Sequence, residues 1–312
     1  VHFENIVDSI GNTPIIRINR MAPADVELYV KTESRNPSGS VKDRMALAIV
    51  LDAERSGRLR PGQTVVEATS GNTGIAFAMV CAARGYPFVA FISDNFSVER
   101  RKLMRAYGAK VVLTPAAEGA SGRVRAAQAY ADRVGGYLAN QYGNPANPQC
   151  HRDSTAAEIV ADFRGRPLHW FVSGWGSGGT LTGIGSALKA ARPGVKVIAA
   201  EPESASLLAG GVWSPHKIQG WAPNFIPDVL DRDVADEIVS VTDSAACAAV
   251  LELARNEGIL CGISSGATLA AALEIARRAP PGDVVLAMLP DTGERYLSTS
   301  LFESVHEGSD VV

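Results

Sequence analysis

The chain has 312 residues, 46% of them hydrophobic and only 20% charged, with a formal net charge of −3. These proportions suit two packed lobes with a large buried core, and the scattered Lys and Arg residues give no basic field for nucleic acid. No apolar run reaches the ~18 residues of a membrane span, and Val1-His2-Phe3-Glu4-Asn5 lacks a charged n-region leading into an apolar stretch, so a cytoplasmic protein with no membrane partner is expected.

In chain order, residues 1–39 hold too few elements to form a lobe alone. A lysine follows in Asn36-Pro37-Ser38-Gly39-Ser40-Val41-Lys42-Asp43-Arg44, between a Gly/Pro turn and an apolar helix; taken alone, such a residue is most often a solvated surface group. Short β-branched or aromatic runs at 64–67, 88–92 and 110–113 alternate with helical spacing, which predicts one βαβ lobe. Gly57, Gly85 and Gly108 each follow a helical stretch, where a left-handed C-terminal cap is expected. Residues 137–150, rich in Gly, Pro and Asn, read as an irregular connection. Strands at 169–173, 196–201, 237–241 and 283–289 predict a second α/β lobe, and 307–312 are expected to fray.

Cys81, Cys150, Cys247 and Cys261 are widely spaced, with no Cys-x-x-Cys pair, and the histidines show no His-x-x-x-His spacing. No metal site is expected. Cys81, Cys247 and Cys261 read as small core hydrophobes, while Cys150 has no obvious place.

Three small, polar, glycine-rich segments remain. Thr69-Ser70-Gly71-Asn72-Thr73-Gly74 and Gly176-Ser177-Gly178-Gly179-Thr180 each follow a predicted strand and open a predicted helix, the setting of an anion site. The second also satisfies G-x-G-x-x-G through Gly174, Gly176 and Gly179, with Glu201 ending the next strand. From that segment alone a nicotinamide dinucleotide and a single phosphate are equally open. In Gly262-Ile263-Ser264-Ser265-Gly266 the serines suit either helix capping or a ligand contact.

The lysine segment and these three motifs, with Gln141-Tyr142-Gly143-Asn144-Pro145-Ala146-Asn147-Pro148 and the run from Leu289 to Thr299, occur in one order across nearly the whole chain. Together they resemble the cysteine synthase (O-acetylserine sulfhydrylase) and cystathionine β-synthase family of pyridoxal-phosphate enzymes. The resemblance implies an α/β, two-lobe fold type II architecture like the tryptophan synthase β chain, with parallel sheets flanked by helices. Its smaller lobe would span 40–145, its larger lobe 1–39 with 146–312, and pyridoxal 5′-phosphate would lie in the cleft between them. It implies Lys42 as the Schiff-base lysine and proton carrier. Gly176, Ser177, Gly178, Gly179 and Thr180 would hold the phosphate, Asn72 the 3′-oxygen, and Ser264 a neutral ring nitrogen. Thr69, Ser70, Gly71, Thr73 and Gln141 would hold the substrate carboxylate.

The implied reaction is β-replacement: O-acetyl-L-serine and sulfide to L-cysteine and acetate through an aminoacrylate. Alternatives are a related β-substituted alanine synthase of the O-ureidoserine synthase or cystathionine synthase type and, more remotely, an NAD-dependent oxidoreductase. Implied partners are an amino-acid substrate, a small nucleophile, a second copy in a homodimer, and the C-terminus of a serine acetyltransferase. The chain departs from the sulfhydrylase pattern at Ser154-Thr155-Ala156-Ala157-Glu158-Ile159, at Gly220-Trp221-Ala222-Pro223-Asn224-Phe225, and at Ser177, where threonine is usual. The first two segments are expected to border the mouth of the site, which leaves the nucleophile open.

Overall fold

The computed structural model describes residues 2–305 and 308–309. Of the tail 307–312, all but Gly308 and Ser309 lies outside the described residues. β1 (Ile15–Ile18), β2 (Glu27–Thr32) and α1 (Lys42–Arg55) come first. β3 (Val65–Thr69), α2 (Asn72–Arg84), β4 (Phe88–Ser93), α3 (Val98–Ala106), β5 (Lys110–Thr114), α4 (Gly119–Val134) and β6 (Tyr137–Leu138) follow. Their strands form one all-parallel sheet in the order β5-β4-β3-β6. After α5 (Ala146–Cys150), a π-helical turn at His151–Thr155 and α6 (Ala156–Asp162) come β7 (Trp170–Gly174), α7 (Gly179–Ala191), β8 (Lys196–Pro202), β9 (Glu237–Val241), α8 (Asp243–Glu257), α9 (Ile263–Arg278) and β10 (Val284–Leu289). The second sheet runs β1-β2-β10-β7-β8-β9, parallel except for β1.

β3, β4 and β10 are buried at every position. Helices cover both faces of a parallel sheet, which is why these strands read as unbroken apolar runs rather than alternating ones. The seven expected strands are all present, with ends moved by at most two residues. Gly57, Gly85 and Gly108 take positive φ of 70°, 79° and 88° after α1, α2 and α3, the left-handed geometry that a side chain would resist.

Two expectations need correction. Residues 137–150 are not wholly irregular: β6 pairs Tyr137 and Leu138 with Val65 and Val66, and α5 starts after Pro145, whose φ of −64° suits helix entry. A two-residue strand has no pattern of its own and exists through its neighbour. Cys247 packs against the core of the larger sheet as expected but is only half-buried and also faces a chamber, whereas Cys261 is buried in that core and Cys81 in the core beside β3 and β4.

β2 lies inside the larger sheet, between β1 and β10. It carries the fully buried Lys31, whose amine meets Glu158 at 2.9 Å and donates to the Thr13 carbonyl at 2.9 Å. Arg44 on α1 pairs with Glu33, just after β2, at 2.7 Å and with Glu158 on α6 at 2.6 Å. This buried network ties the first turn of α1 to β2 and α6, and Lys42 is in that turn. No helix among the described residues is long and apolar enough to cross a membrane.

Candidate active site

The carboxyl ends of β3, β7 and β10 open on one cavity, the usual ligand position in parallel α/β sheets. Of the residues expected in the site, the cavity brings together Lys42, Ser70, Asn72, Thr73, Gln141, Gly176, Ser177, Gly178, Thr180 and Ser264. Thr69, Gly71 and Gly179 lie behind its wall. The Thr69 hydroxyl accepts from the N–H groups of Gly71 and Gly74, both at 2.9 Å, and so shapes the loop. Gly71 has φ of 142° and backs onto the Arg100 side chain, while Gly179 abuts Asn147.

Lys42 projects from the start of α1, and its amine makes no hydrogen bond or ion pair among the described residues. Burial lowers its pKa to about 8, against smaller opposing effects of Cys150 and Asp291. The Cys150 thiol is itself pushed up to about 12 by burial, so at neutral pH it offers the amine no counter-charge. A substantial fraction of Lys42 is therefore neutral and nucleophilic near physiological pH.

The loop before Lys42 is clamped from both sides. Asp43 accepts from the Ser38 N–H at 2.7 Å and from the Ser38 hydroxyl. Arg295 donates to the Ser38 carbonyl at 2.8 Å and to Asn72 Oδ1 at 2.7 Å. Asn72 Nδ2 in turn donates to Asp291 Oδ2 at 2.7 Å, where the Tyr296 hydroxyl also donates, at 2.5 Å. The Asn72 amide is thus held in one orientation beside Lys42.

Gln141 is held as tightly. Its oxygen accepts from Thr73 Oγ1 at 2.8 Å, while Nε2 donates to the Ala68 carbonyl at 2.8 Å and to Glu67 Oε1 at 3.1 Å. Both amide hydrogens are spent, so Gln141 here fixes the Thr73 hydroxyl rather than turning its own N–H groups to the cavity.

On the opposite wall Gly178, with φ of 87°, immediately precedes α7, which has no side-chain cap. The first N–H groups of that helix have no intrahelical partner. Asn147 Nδ2 donates to Ser177 Oγ at 3.0 Å, and His151 Nε2 lies 3.2 Å from Thr180 Oγ1. A Cβ at Gly176 would collide with the Gly220 carbonyl. Ser264 is buried, yet its hydroxyl has no protein partner among the described residues.

A free amine, an uncapped helix terminus lined with hydroxyls and an unpartnered buried serine fit the aldehyde, phosphate and ring nitrogen of pyridoxal phosphate. They fit a dinucleotide poorly. Glu201, the residue such a reading would assign to a ribose, accepts from the N–H groups of Leu208 and Ala209, both at 3.0 Å, and does not line the cavity.

A second chamber of about 510 Å³ opens at the mouth and shares Ser70, Tyr142, Gln219, Gly220 and Trp221 with the first. Residues 220–224 border it, while Ser154–Ile159 does not: Glu158 belongs to the Arg44 and Lys31 network, away from both chambers. Ala222 takes a φ of 37°, a strained value for a residue with a Cβ. Its carbonyl accepts from Trp213 Nε1 at 2.8 Å, and its N–H donates to the Trp175 carbonyl at 3.0 Å.

Several supports of the site carry no signature of their own in the sequence. Asn147, Asp291 and Arg295 lie inside motif runs already singled out, so the segments were visible although their contacts were not. His151 and Arg100 had no signal, being a lone histidine and one arginine in a basic helix.

Comparison with known proteins is consistent over nearly all of the chain. Residues 6–291 match the family described as pyridoxal-phosphate dependent enzyme. The chain is 59% identical over 308 residues to the O-ureido-L-serine synthase of Streptomyces lavendulae, covering 99% of this chain and 95% of that one. It is 44% identical over 300 residues to a cysteine synthase of Staphylococcus aureus, covering 96% and 97%. A crystal structure of O-ureido-L-serine synthase superimposes with a TM-score of 0.97 at 58% identity, covering 99% and 98%.

Proposed function

This chain belongs to the family of pyridoxal-phosphate-dependent enzymes, and within it we propose an enzyme that replaces the acetoxy group of O-acetyl-L-serine with a small N-hydroxy amide such as hydroxyurea, giving O-ureido-L-serine. Its fold is the α/β, type II fold of the cysteine synthases, and its reaction class is β-replacement.

Pyridoxal phosphate, when bound, supplies an electron sink conjugated to the substrate's Cα. The residues of the chain do the rest. The N-terminus of α7, with the Ser177 and Thr180 hydroxyls, would hold the phosphate. Ser264 would meet the ring nitrogen with a hydroxyl rather than a charge. The N-terminus of α2, which lacks a side-chain cap, would hold the donor carboxylate with Ser70 and Thr73. Lys42 removes the Cα proton as the Cβ–O bond breaks and acetate leaves with its electron pair. The acceptor's hydroxyl oxygen then forms the new Cβ–O bond and loses its proton to solvent, while Lys42 returns a proton to Cα.

The observation that carries the choice of acceptor is the mouth chamber. At about 510 Å³ it is far larger than sulfide needs, and Asn95, Asn224 and Arg123 line it with donors suited to a carbonyl. Sulfide, giving L-cysteine, is the second reading, supported by the likeness to cysteine synthases. A homodimer would suit the exposed apolar residues Val98 and Leu103 on α3, Tyr107 just after it, and Leu113 on the edge strand β5.

The test is to incubate the holoenzyme with O-acetyl-L-serine and either hydroxyurea or sulfide, and to identify products by mass spectrometry. O-ureido-L-serine is expected. Product from sulfide alone would move the assignment to cysteine synthesis.

A further inference from the structure

Two buried guanidiniums line or border the mouth chamber, and neither pairs with a carboxylate among the described residues. Arg100 is 2% exposed and lies over the Tyr296 ring, 4.4 Å from its centroid. It donates through Nη1 to the Ser70 carbonyl at 3.3 Å and to Gln219 Oε1, which ties it to the rim, while its Nε is buried without a partner among the described residues and it does not itself line the chamber. Arg123, on α4, is 7% exposed and lines the chamber itself. Its guanidinium sits 5.4 Å from the Phe96 centroid, has a long contact of 3.4 Å to the Gly119 carbonyl, and meets the Tyr142 hydroxyl.

A guanidinium carries five N–H donors in a planar fork and stays charged. Burying it without an anion or a full set of acceptors is costly. Burial accordingly pulls the Arg123 pKa down, against a smaller opposing effect of Tyr142. The Phe96 ring stabilises the charge through its face, and among the described residues the remaining N–H groups of the fork have no acceptor beyond Gly119 and Tyr142. Tyr142 also lines the Lys42 cavity, so a ligand held by Arg123 lies on the path to the reacting carbon.

We propose that Arg123 is a specificity-determining residue for the second substrate: its guanidinium donates to the carbonyl oxygen of a small N-hydroxy amide held between Phe96 and Tyr142, turning the hydroxyl oxygen toward the donor's Cβ. This rests on the acceptor class proposed above. A planar carbonyl group suits the fork better than a spherical sulfide, which offers it no directional acceptor.

The test compares the holoenzyme with Arg123→Met and Arg123→Lys, using only variants that retain cofactor and native circular dichroism. The readout is the ratio of kcat/KM for hydroxyurea to kcat/KM for sulfide, with acetohydroxamic acid as a second carbonyl-bearing acceptor. A further readout needs no turnover: the dissociation constant of hydroxyurea for donor-free enzyme, by ligand-observed NMR. In Arg123→Met the ratio is expected to fall about tenfold or more, chiefly through KM, with weaker hydroxyurea binding. Arg123→Lys, which keeps the charge but not the fork, should recover part of it. A ratio unchanged within about twofold in Arg123→Met, or an equal loss with both acceptors, would reduce Arg123 to a packing residue. Failure of the unmutated enzyme to use any carbonyl-bearing acceptor overturns the function itself, and that result is seen before any variant is made.

Discussion

Glu67 accepts a hydrogen bond from Gln141 Nε2 at 3.1 Å, and both side chains are buried behind the substrate loop with no cation beside them among the described residues. Burial raises the Glu67 carboxyl to about 8, against opposing hydrogen bonds from Gln141. Between pH 4.5, its value in an unfolded chain, and about 8, the folded protein keeps a proton that the unfolded chain has released. Stability therefore falls as pH rises through that window. Glu67→Gln, neutral throughout, should be more stable than the parent by about 1–3 kcal/mol above pH 8 and should converge with it near pH 4. Urea denaturation at pH 4.5, 7 and 9 measures this, and a difference independent of pH would contradict it.

Lys42 should show its lowered pKa directly. Only the neutral amine is nucleophilic, so the rate at which cofactor-free protein takes up pyridoxal phosphate should rise with pH and level off above about 8. A rate still climbing at pH 10 would mean an ordinary lysine. Lys42→Ala should remove the visible colour and lower turnover by at least about a thousandfold, with the far-ultraviolet circular dichroism unchanged.

Gly176→Ala tests the close approach at the phosphate loop. The added Cβ would meet the Gly220 carbonyl, a backbone atom that cannot swing aside. Either the 176–180 loop or the mouth segment must shift. The expected result is a loss of about 1–3 kcal/mol in stability and cofactor that washes out on dialysis. Gly194→Ala is the comparison: at φ of 103° it is strained too, but nothing lies near its Cβ.

Glu158 is raised by burial, but Arg44 and Lys31 outweigh that and hold its carboxyl at about 2. The contribution is fully present above pH 4.5, the unfolded value, and is lost as pH falls toward 2. Glu158→Gln should cost about 1–3 kcal/mol at pH 7, allowing for the part of the carboxylate that faces water. It should also flatten the acid limb of the parent's stability curve, and guanidinium titrations from pH 3 to 7 would show whether it does.

Much of this protein was determined by the sequence alone. The apolar runs of β3, β4, β7, β8, β9 and β10 and the capping glycines after α1, α2 and α3 set an α/β fold, because period and backbone freedom are local properties. The motifs around Lys42, Asn72, Ser177 and Ser264 each left their ligand open when taken alone, and it was their shared order along the chain, resembling one pyridoxal-phosphate family, that implied the cofactor. Tertiary structure decided what local pattern cannot carry. It placed Lys31 inside a sheet against Glu158, joined residues 137 and 138 to β3, and spent the Gln141 amide on Glu67 and Ala68. It also left Arg123 buried at the mouth with no carboxylate beside it among the described residues. A charge inside a protein is satisfied or stranded by groups far away in sequence, and only the packed chain brings those groups within hydrogen-bonding distance.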